Sequence, residues 1–250
     1  MAALVKSADR VLQILDLLTE HPDGLTLTEI QRAMDFPKSS TFGLVNTMAV
    51  RGFVQQDPNT RKYAVGIRLW QAGQSYLTAT SLEQLALPYM TAVRDALNET
   101  VQLAILDGTD NVYIGKVDPD QQLRLASHVG ARLPAYATGL GKALLSLLPD
   151  EEVRRRFDGV TFTQYTDRSL HSVDQLVGVL GEIRARGYAE DDAEYTEGVY
   201  CIAFPLKPSR DYGLASISVS VPHVRRSDDL TARTIESLRN AAAQISQRLS

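Results

Sequence analysis

Apolar residues in the first fifty positions recur at the spacing of amphipathic helices. Two segments carry the full i, i+3, i+4, i+7 stripe: Val11, Ile14, Leu15 and Leu18, and then Thr41, Leu44, Val45 and Met48. Between these segments, Thr26 and Glu29 have the spacing of a capping box, which predicts that a short helix begins there. Pro37 suits the opening of the third helix, where its missing N–H costs nothing, and Gly52 ends it. The pattern therefore predicts three helices in succession.

A pair of short strands follows the third helix. Residues 53–56 and 62–65 have strand-like sequences, and the turn-forming residues Asp57, Pro58 and Asn59 lie between them. Three helices and a hairpin make a compact unit, which we assign to residues 1–66. An amphipathic pattern over residues 67–77 predicts a further helix, and we assign residues 67–80 as a linker.

Beyond residue 80 the pattern alternates between helical stripes and apolar strands. The predicted helices cover residues 82–97, 139–148 and 173–186, together with a last helix that carries Ile235, Leu238, Ala242, Ile245 and Leu249. The predicted strands cover residues 101–106, 112–117, 187–191, 199–206 and 214–221. Mixed strands with helices at both ends favour an α/β domain with a largely antiparallel sheet over residues 81–250. The whole chain is thus predicted to be α+β.

Composition and charge narrow the class of protein. The 250 residues are 44% hydrophobic and 22% charged, as in an ordinary soluble globular protein. The single cysteine excludes an internal disulfide framework, and the N-terminus lacks the apolar core of a signal peptide. No apolar run is long enough for a membrane span. We therefore expect a cytoplasmic protein. The net charge of −4 argues mildly against nucleic acid as a partner. Residues 36–64, however, carry four basic residues against one acidic residue, a local net charge of +3.

The stretch FPKSSTFGLVNTMAVRGF at residues 36–53 joins this positive charge to a helix with a short, polar outer face. Two helices joined by a tight turn form a helix-turn-helix, in which the second helix enters the major groove and the hairpin serves as a wing. Asn46 can pair with adenine and Phe42 can contact a thymine methyl group. The candidate DNA-binding residues are Thr28, Lys38, Ser39, Ser40, Thr41, Phe42, Asn46, Arg61 and Lys62. The alternative is a three-helix subdomain of an enzyme, but the conjunction of capped helix, turn, polar-faced helix and basic hairpin favours DNA binding.

A glycine-rich turn precedes the helix predicted near residue 139. It does not match the Walker pattern, which needs glycine where Tyr136 stands and a hydroxyl residue where Ala143 stands. What remains is a glycine-rich helix start whose free N–H groups favour an anion such as a carboxylate. Glycines placed for close packing explain the same sequence equally well, so the pattern alone does not decide.

Polar residues on two later strands have a similar ambiguity. The strand over residues 214–221 alternates strictly, with Ser216, Ser218 and Ser220 on one face. Such alternation is typical of a solvated face, and the alternative is a small polar pocket. Cys201 lies in an apolar run and by itself indicates an inert core residue, while Asp191 and Asp192 at a strand end indicate a solvated turn.

Several segments together resemble the IclR family of transcriptional regulators. The first unit resembles that family's winged helix through VLQILDLL, LTLTEIQRAMDFPKSSTFGLVNTMAVRGFVQQDP and RKYAVGIRLWQAG. The second domain resembles its effector-binding domain through YATGLGKALLSLLP at Tyr136–Pro149 and GYAEDDAEYTEGVYCIAFPL at Gly187–Leu206. The resemblance covers essentially the full chain. Members often carry arginine where this chain has Gly43 and glycine where it has Phe36, so the operator sequence does not follow from the resemblance.

The resemblance implies a site as well as a fold. The second domain should be a GAF-like α/β domain that holds a small organic acid through the glycine-rich turn, an acidic residue, the cysteine and strand serines. Carried over by motif, the ligand-binding positions are Gly139, Leu140, Asp191, Cys201, Ser218 and Ser220. Looser candidates for the pocket wall are Leu125, His128, Tyr136 and Tyr195. We predict no catalytic residue, cofactor or metal site, because the four histidines show no spacing that indicates a catalytic base or a metal-ligand set.

These observations lead to the expectation of a cytoplasmic transcriptional regulator, with repression as the working hypothesis. Its expected partners are double-stranded operator DNA and a small organic acid, such as an aromatic or oxo acid from catabolism. One helix-turn-helix covers one half-site, so we expect a homodimer or homotetramer, with the linker helix coupling acid binding to the spacing of the two reading helices. The competing hypothesis is a hydrolase-type enzyme with an accessory helical domain, against which the lack of a G-x-S-x-G motif counts.

Overall fold

The computed structural model describes residues 4–79, 82–121, 127–208 and 213–249, with the backbone alone for residues 74–79. The chain divides into two compact units, Met1–Ala79 and Thr80–Ser250. The helix that follows the wing is grouped with the first unit, and its assignment as a separate linker stays a prediction.

The elements follow the predicted order. The described α-helices are, in chain order, α1 (Lys6–Thr19), α2 (Leu27–Met34), α3 (Lys38–Val50), α4 (Ile67–Ala79), α5 (Leu82–Leu97), α6 (Gly139–Leu145), α7 (Asp150–Arg156), α8 (Val173–Arg186) and α9 (Asp228–Arg248). The described strands are β1 (Val54–Gln56), β2 (Tyr63–Val65), β3 (Thr100–Asp107), β4 (Asp110–Val117), β5 (Arg132–Pro134), β6 (Ala189–Asp192), β7 (Val199–Pro205) and β8 (Ala215–Pro222). Short 3-10 helices cover Ala135–Ala137 and His223–Arg225. The pattern of apolar residues did not predict α7, β5 or the 3-10 helices, which are all too short to show a period.

The first unit is a winged helix built on the predicted stripes. Its buried core takes side chains from all three helices and both strands: Ile14, Leu18, Ile30, Val45, Met48, Val54 and Tyr63. The capping box at the start of α2 is present, with Thr26 and Glu29 each accepting the other's backbone N–H. Strands β1 and β2 pair antiparallel, and a bridge between Leu25 and Tyr63 ties the segment before α2 to the wing.

The turn between α2 and α3 explains how this chain tolerates Phe36. The left-handed conformation in this turn falls on Asp35, with φ 51°, and not on Phe36. Aspartate tolerates this region better than most residues because its short side chain can bond locally. Phe36 is therefore free to pack its half-buried ring against the core of the first unit.

The second unit is an antiparallel sheet with helices on both faces. The described strands form a six-stranded sheet in the order β5-β4-β3-β8-β7-β6. Helices α5 and α9 pack on one face with the odd-numbered residues Ile217, Val219 and Val221 of β8. Helices α6 and α8 pack on the other face in a separate core cluster. The α+β prediction is thereby confirmed.

Several predicted boundaries in the second unit are wrong, and among them the strand predicted over residues 112–117 begins at Asp110. The helix predicted over residues 139–148 ends at Leu145. The strand predicted from Gly187 begins at Ala189, because Gly187 is the left-handed residue that ends α8, with φ 86°. Within the described ranges, no helix is both long enough and apolar enough to cross a bilayer.

Candidate functional site

The outer face of α3 presents the predicted short polar residues to solvent. Lys38, Ser39, Phe42 and Asn46 are exposed, and Ser40 is partly exposed. The ring of Phe42 is 55% exposed, which is a large apolar surface to leave in water unless a partner covers it. A Cβ added to Gly43 would meet no atom within 4 Å, so the centre of this face is open. Helix α3 thus presents a surface of short polar side chains with one exposed aromatic ring, which is compatible with binding in a groove of DNA.

Thr41 does not belong to this surface. Its side chain is buried, and its hydroxyl donates a hydrogen bond of 3.1 Å to the backbone oxygen of Pro37. The position also lies on the apolar stripe of α3, which faces the core. We therefore remove Thr41 from the candidate DNA contacts, whereas Thr28 on α2 is exposed and remains.

Arg10 of α1 supports the start of α3 and was missed in the sequence. Its guanidinium lies 4.5 Å from the centre of the Phe36 ring, and its Nη1 donates to the Ser40 hydroxyl at 3.2 Å. A cation over an aromatic face and a hydrogen bond to a hydroxyl are both attractive, so Arg10 links α1, the turn and α3. The feature of the sequence that could have identified Arg10 is a basic residue on the polar side of the first helix.

The wing carries the two other predicted basic contacts. Arg61 is exposed in the left-handed region with φ 60°, and Lys62 is partly exposed beside it. The turn is shaped by Asp57, whose Oδ1 accepts the backbone N–H groups of Asn59 at 2.7 Å and Thr60 at 2.8 Å. These bonds hold the pKa of the Asp57 carboxyl below its usual value.

A cavity of about 300 Å³ lies in the second unit on the face of the sheet that bears α6. All six predicted ligand-binding residues line it: Gly139, Leu140, Asp191, Cys201, Ser218 and Ser220. They come from α6, β6, β7 and β8, segments that are far apart in the sequence. The volume is that of a pocket for a small organic molecule.

The serines of β8 do not form the solvated face that alternation alone suggests. Ser216, Ser218 and Ser220 are each at most 2% exposed. Ser216 lies under α6 and donates to the backbone oxygen of Leu140 at 3.1 Å, whereas Ser218 and Ser220 face the cavity. Helix α6 and the cavity replace water on this side of the sheet, which is why a polar face is buried.

Gln102 of β3 connects the cavity hydroxyls. Its Oε1 accepts a hydrogen bond from Ser220 at 2.9 Å and a longer one from Ser218 at 3.4 Å, and its Nε2 donates to Ser127 at 2.6 Å. The Sγ of Cys201 lies 2.9 Å from the Ser220 hydroxyl. Burial raises the pKa of the Cys201 thiol and the nearby Asp191 raises it further, so the sulfur is a neutral wall atom.

The glycine-rich turn is closely packed, and its first N–H groups lie at the cavity. Thr138 caps α6, accepting the Gly141 N–H at 3.0 Å, and its own hydroxyl donates to Asn111 at 2.7 Å. A Cβ on Gly141 would lie 2.2 Å from the Cα of Ala135, so this glycine is required for close packing. Gly139 and Leu140 line the cavity at the first two helical positions, where N–H groups have no intrahelical partner. These two donors are available to an anion.

Asp191 lies in the cavity wall, and the prediction of a solvated turn is wrong for it. The residue is 5% exposed, and its Oδ1 accepts the Glu194 N–H at 2.7 Å. Burial raises the pKa of its carboxyl to about 6, although the positive charge of Lys142 opposes the shift. Its neighbour Asp192 is more exposed and pairs with the cations of Arg168 and Arg226.

The four looser candidates for the pocket wall differ in their positions. His128 and Tyr195 line the cavity, Tyr136 is buried but does not line it, and Leu125 lies outside the described residues. Further lining residues were not predicted: Gln102, Tyr113, Ser127, Ala131, Leu133, Thr138, Thr196 and Val199. An isolated polar residue in an apolar strand, such as Gln102, was the signal that could have been used. Among the residues that the structure describes, no group of three or more His, Cys, Asp or Glu is placed to hold a metal.

Comparison with known proteins agrees over the whole chain. The IclR helix-turn-helix domain matches residues 7–58, and the domain described as "Bacterial transcriptional regulator IclR C-terminal" matches residues 74–247. The HTH-type transcriptional regulator XynR of Escherichia coli (strain K12) is 32% identical over 246 residues, which cover 98% of each chain. The crystal structure of a putative transcriptional regulator, RHA06195 from Rhodococcus sp. RHA1, matches with a TM-score of 0.82 at 29% identity over 98% of each chain. An IclR homolog from Microbacterium hydrocarbonoxydans, complexed with 4-hydroxybenzoate, has a TM-score of 0.83 at 24% identity, covers 97% of this chain and 98% of that one, and shares the fold.

Proposed function

The chain belongs to the IclR family of bacterial transcriptional regulators, which are not enzymes, and we propose that it binds operator DNA through α3 and the wing and senses a small organic acid in its cavity. The family assignment replaces the alternative of a hydrolase with an accessory helical domain.

The cavity carries the effector half of this proposal. Among its described lining residues there is no lysine or arginine, and the available donors are hydroxyls, the Gln102 amide and the N–H groups of Gly139 and Leu140. Such neutral donors can hold a carboxylate without a buried cation that would itself need a partner. Apolar residues of the wall, such as Leu133 and Val199, leave room for a carbon skeleton. We propose an aromatic or oxo acid as the effector class.

The exposed face of α3 carries the DNA half. Asn46 and Phe42 are exposed on α3 and can contact base edges, and Lys38, Arg61 and Lys62 supply positive charge for phosphates. Because one such unit covers one half-site, the proposal includes a homodimer or a homotetramer. Acid binding would then act as a population shift between arrangements of the oligomer, and α4 is the proposed coupling segment. Operator DNA as the partner implies a cytoplasmic location.

The test is fluorescence anisotropy on DNA from upstream of the protein's own gene, across a salt series, with and without a panel of carboxylic acids. We expect sequence-selective binding that weakens steeply with salt and that one acid shifts. The double variant Ser40→Ala/Asn46→Ala should lose operator binding and keep acid binding. Equal loss of both activities would indicate a folding defect, and selective DNA binding that no acid changes would contradict the effector half.

A further inference from the structure

A buried ion pair lies beside the cavity without lining it. Lys142, in α6, is 1% exposed, and its Nζ contacts Oε1 of Glu194. The Glu194 side chain is 15% exposed, and its Oε2 is buried without a hydrogen-bond partner among the described residues. Burying two charges costs more than an average ion pair returns, so such a pair needs another reason to be kept.

The backbone that carries Glu194 is fixed on its other side. Ala193 adopts a left-handed conformation with φ 59°, which is strained for a residue with a Cβ. Thr166 donates to the Ala193 backbone oxygen at 2.7 Å, and Ser169 donates to the Glu194 backbone oxygen at 2.7 Å. Glu194 is therefore held through its backbone by the turn at residues 166–169 and through its side chain by α6.

This anchored residue in turn holds Asp191. The Glu194 N–H donates to the Asp191 carboxyl at 2.7 Å, and the Tyr195 N–H also stabilises that carboxyl. The charged and titratable groups that act on Asp191 are Lys142 from α6, Glu194 from its own loop, Cys201 from β7 and Tyr113 from β4. His128 also lines the cavity. Of these, Lys142 lowers the pKa of Asp191 and Glu194 raises it.

We propose that Lys142 and Glu194 are positioning residues that orient Asp191 and set its charge, and that an anionic effector binds with uptake of one proton by Asp191. The second part rests on the proposed function. A carboxylate entering this cavity would meet the Asp191 carboxylate, and two like charges at close range cannot both stay ionised. Protonated Asp191 is instead a donor, and the proton comes from solvent.

The first test is the titration of Asp191 in the full-length, ligand-free protein by carbon-13 NMR, with Asp191→Asn used to assign the carboxyl resonance. The wild-type midpoint is expected near pH 6 because the carboxyl is buried. Glu194→Gln removes a negative charge and should move the midpoint down by about one pH unit, whereas Lys142→Met should move it up by about as much. Midpoints that stay at the wild-type value in both variants, even with altered melting temperatures, would overturn the positioning role.

The double variant Lys142→Met/Glu194→Gln covers the case in which Lys142→Met does not fold. Removing both charges leaves no uncompensated buried ion, so the double variant should fold where the single variant does not. Its Asp191 midpoint should lie above that of Glu194→Gln, because the double variant also lacks the positive charge of Lys142, which lowers the pKa of Asp191. A midpoint equal to that of Glu194→Gln would show that Lys142 has no influence.

The second test measures the binding of 4-hydroxybenzoate by calorimetry at pH 5.5 and pH 7.5, in buffers of different protonation enthalpy. Proton uptake at a group with a midpoint near pH 6 predicts about 25-fold weaker binding at the higher pH. The ratio should grow in Glu194→Gln and shrink in Lys142→Met. Equal affinity at both pH values would overturn proton uptake. Failure to bind at either pH, with Asp191 midpoints that move as stated, would exclude 4-hydroxybenzoate as the effector while supporting the positioning role.

Discussion

The two units of this chain place polar side chains in opposite environments. In the first unit, the candidate contacts Lys38, Ser39 and Asn46 on α3 are exposed to solvent. In the second unit, the candidate contacts are buried and bonded to one another, as Ser220 is to Gln102 and Cys201. A surface that binds a large rigid partner can leave its contacts in water, whereas a cavity must support each polar group from behind.

Carboxyl groups show the same contrast. The turn N–H groups lower the pKa of exposed Asp57 in the wing, whereas burial raises the pKa of Asp191 to about 6. Hydrogen bonds to the charged form dominate in the first case and desolvation dominates in the second. We therefore expect substitutions of the cavity residues to change stability and binding together, and substitutions of the exposed polar contacts on α3 to change binding with little effect on stability.

The largest expected difference is between two glycines. A Cβ on Gly141 would overlap the backbone of Ala135, so Gly141→Ala should lower the free energy of unfolding by about 3 kcal/mol or more. A Cβ on Gly43 meets open space within a helix, so Gly43→Ala should raise it by about 0.5–1 kcal/mol. Urea denaturation followed by circular dichroism measures both. Similar effects of the two variants would refute the contrast between the units.

The next largest effect is a dependence on pH. Because the pKa of Asp191 is about 6 when folded and 3.8 in its reference state, ionisation in the folded protein costs about 3 kcal/mol. The sign follows from the raised pKa: the folded state binds more protons between these values, so stability falls as pH rises from about 4 to above 6. Asp191→Asn should therefore raise the melting temperature at pH 7.5 and lose that advantage near pH 4.

For this prediction the matched control is Asp57→Asn, in the wing. Its native carboxyl has a lowered pKa, so the neutral side chain should give no gain at pH 7.5. If Asp191→Asn changed the melting temperature equally at both pH values, the raised pKa of Asp191 would be contradicted.

A smaller difference in stability is expected between the removal of a hydroxyl in the cavity and the removal of one on α3. Ser220→Ala leaves Gln102 with a weaker partner and should cost about 1–2 kcal/mol of stability as well as acid binding. Ser39→Ala on the exposed face of α3 should change stability by less than about 0.5 kcal/mol while weakening operator binding. Thermal melts and anisotropy on both variants decide this. A destabilised Ser39→Ala protein would show that α3 also depends on local bonds.

Periodicity predicted most of the fold because the apolar stripes are long enough to be read. The helix predicted over residues 173–186 has those bounds in the structure, as α8. Short elements such as β5 and α7 carry too few residues to show a period. Gly187 was assigned to a strand because the sequence does not display a positive φ.

The sequence predicted only those features of the site that depend on a motif or on the alternation of residues along a strand. Alternation correctly placed Ser218 and Ser220 on one face, but the burial of that face depends on α6, which begins at Gly139. The support that Gln102 gives to the serines also depends on strand pairing between distant segments. Sequence patterns report local periodicity, whereas a cavity is made by contacts that the fold brings together.

A small effect on stability is also expected at Arg10, where the contrast between the two units is least sharp. Arg10 stacks on Phe36 and donates to Ser40, so the first unit has one small support behind its exposed surface. Arg10→Gln should cost only about 0.5–1 kcal/mol of stability, because both contacts are partly exposed to solvent. Arg10→Gln should weaken operator binding several-fold more than Arg10→Lys does, because Arg10→Lys keeps the positive charge and loses only the planar stacking on Phe36. If Arg10→Lys lost as much operator affinity as Arg10→Gln, Arg10 would contribute through stacking rather than through charge. The exposed face of α3 would then depend on a contact behind it, as the cavity residues do.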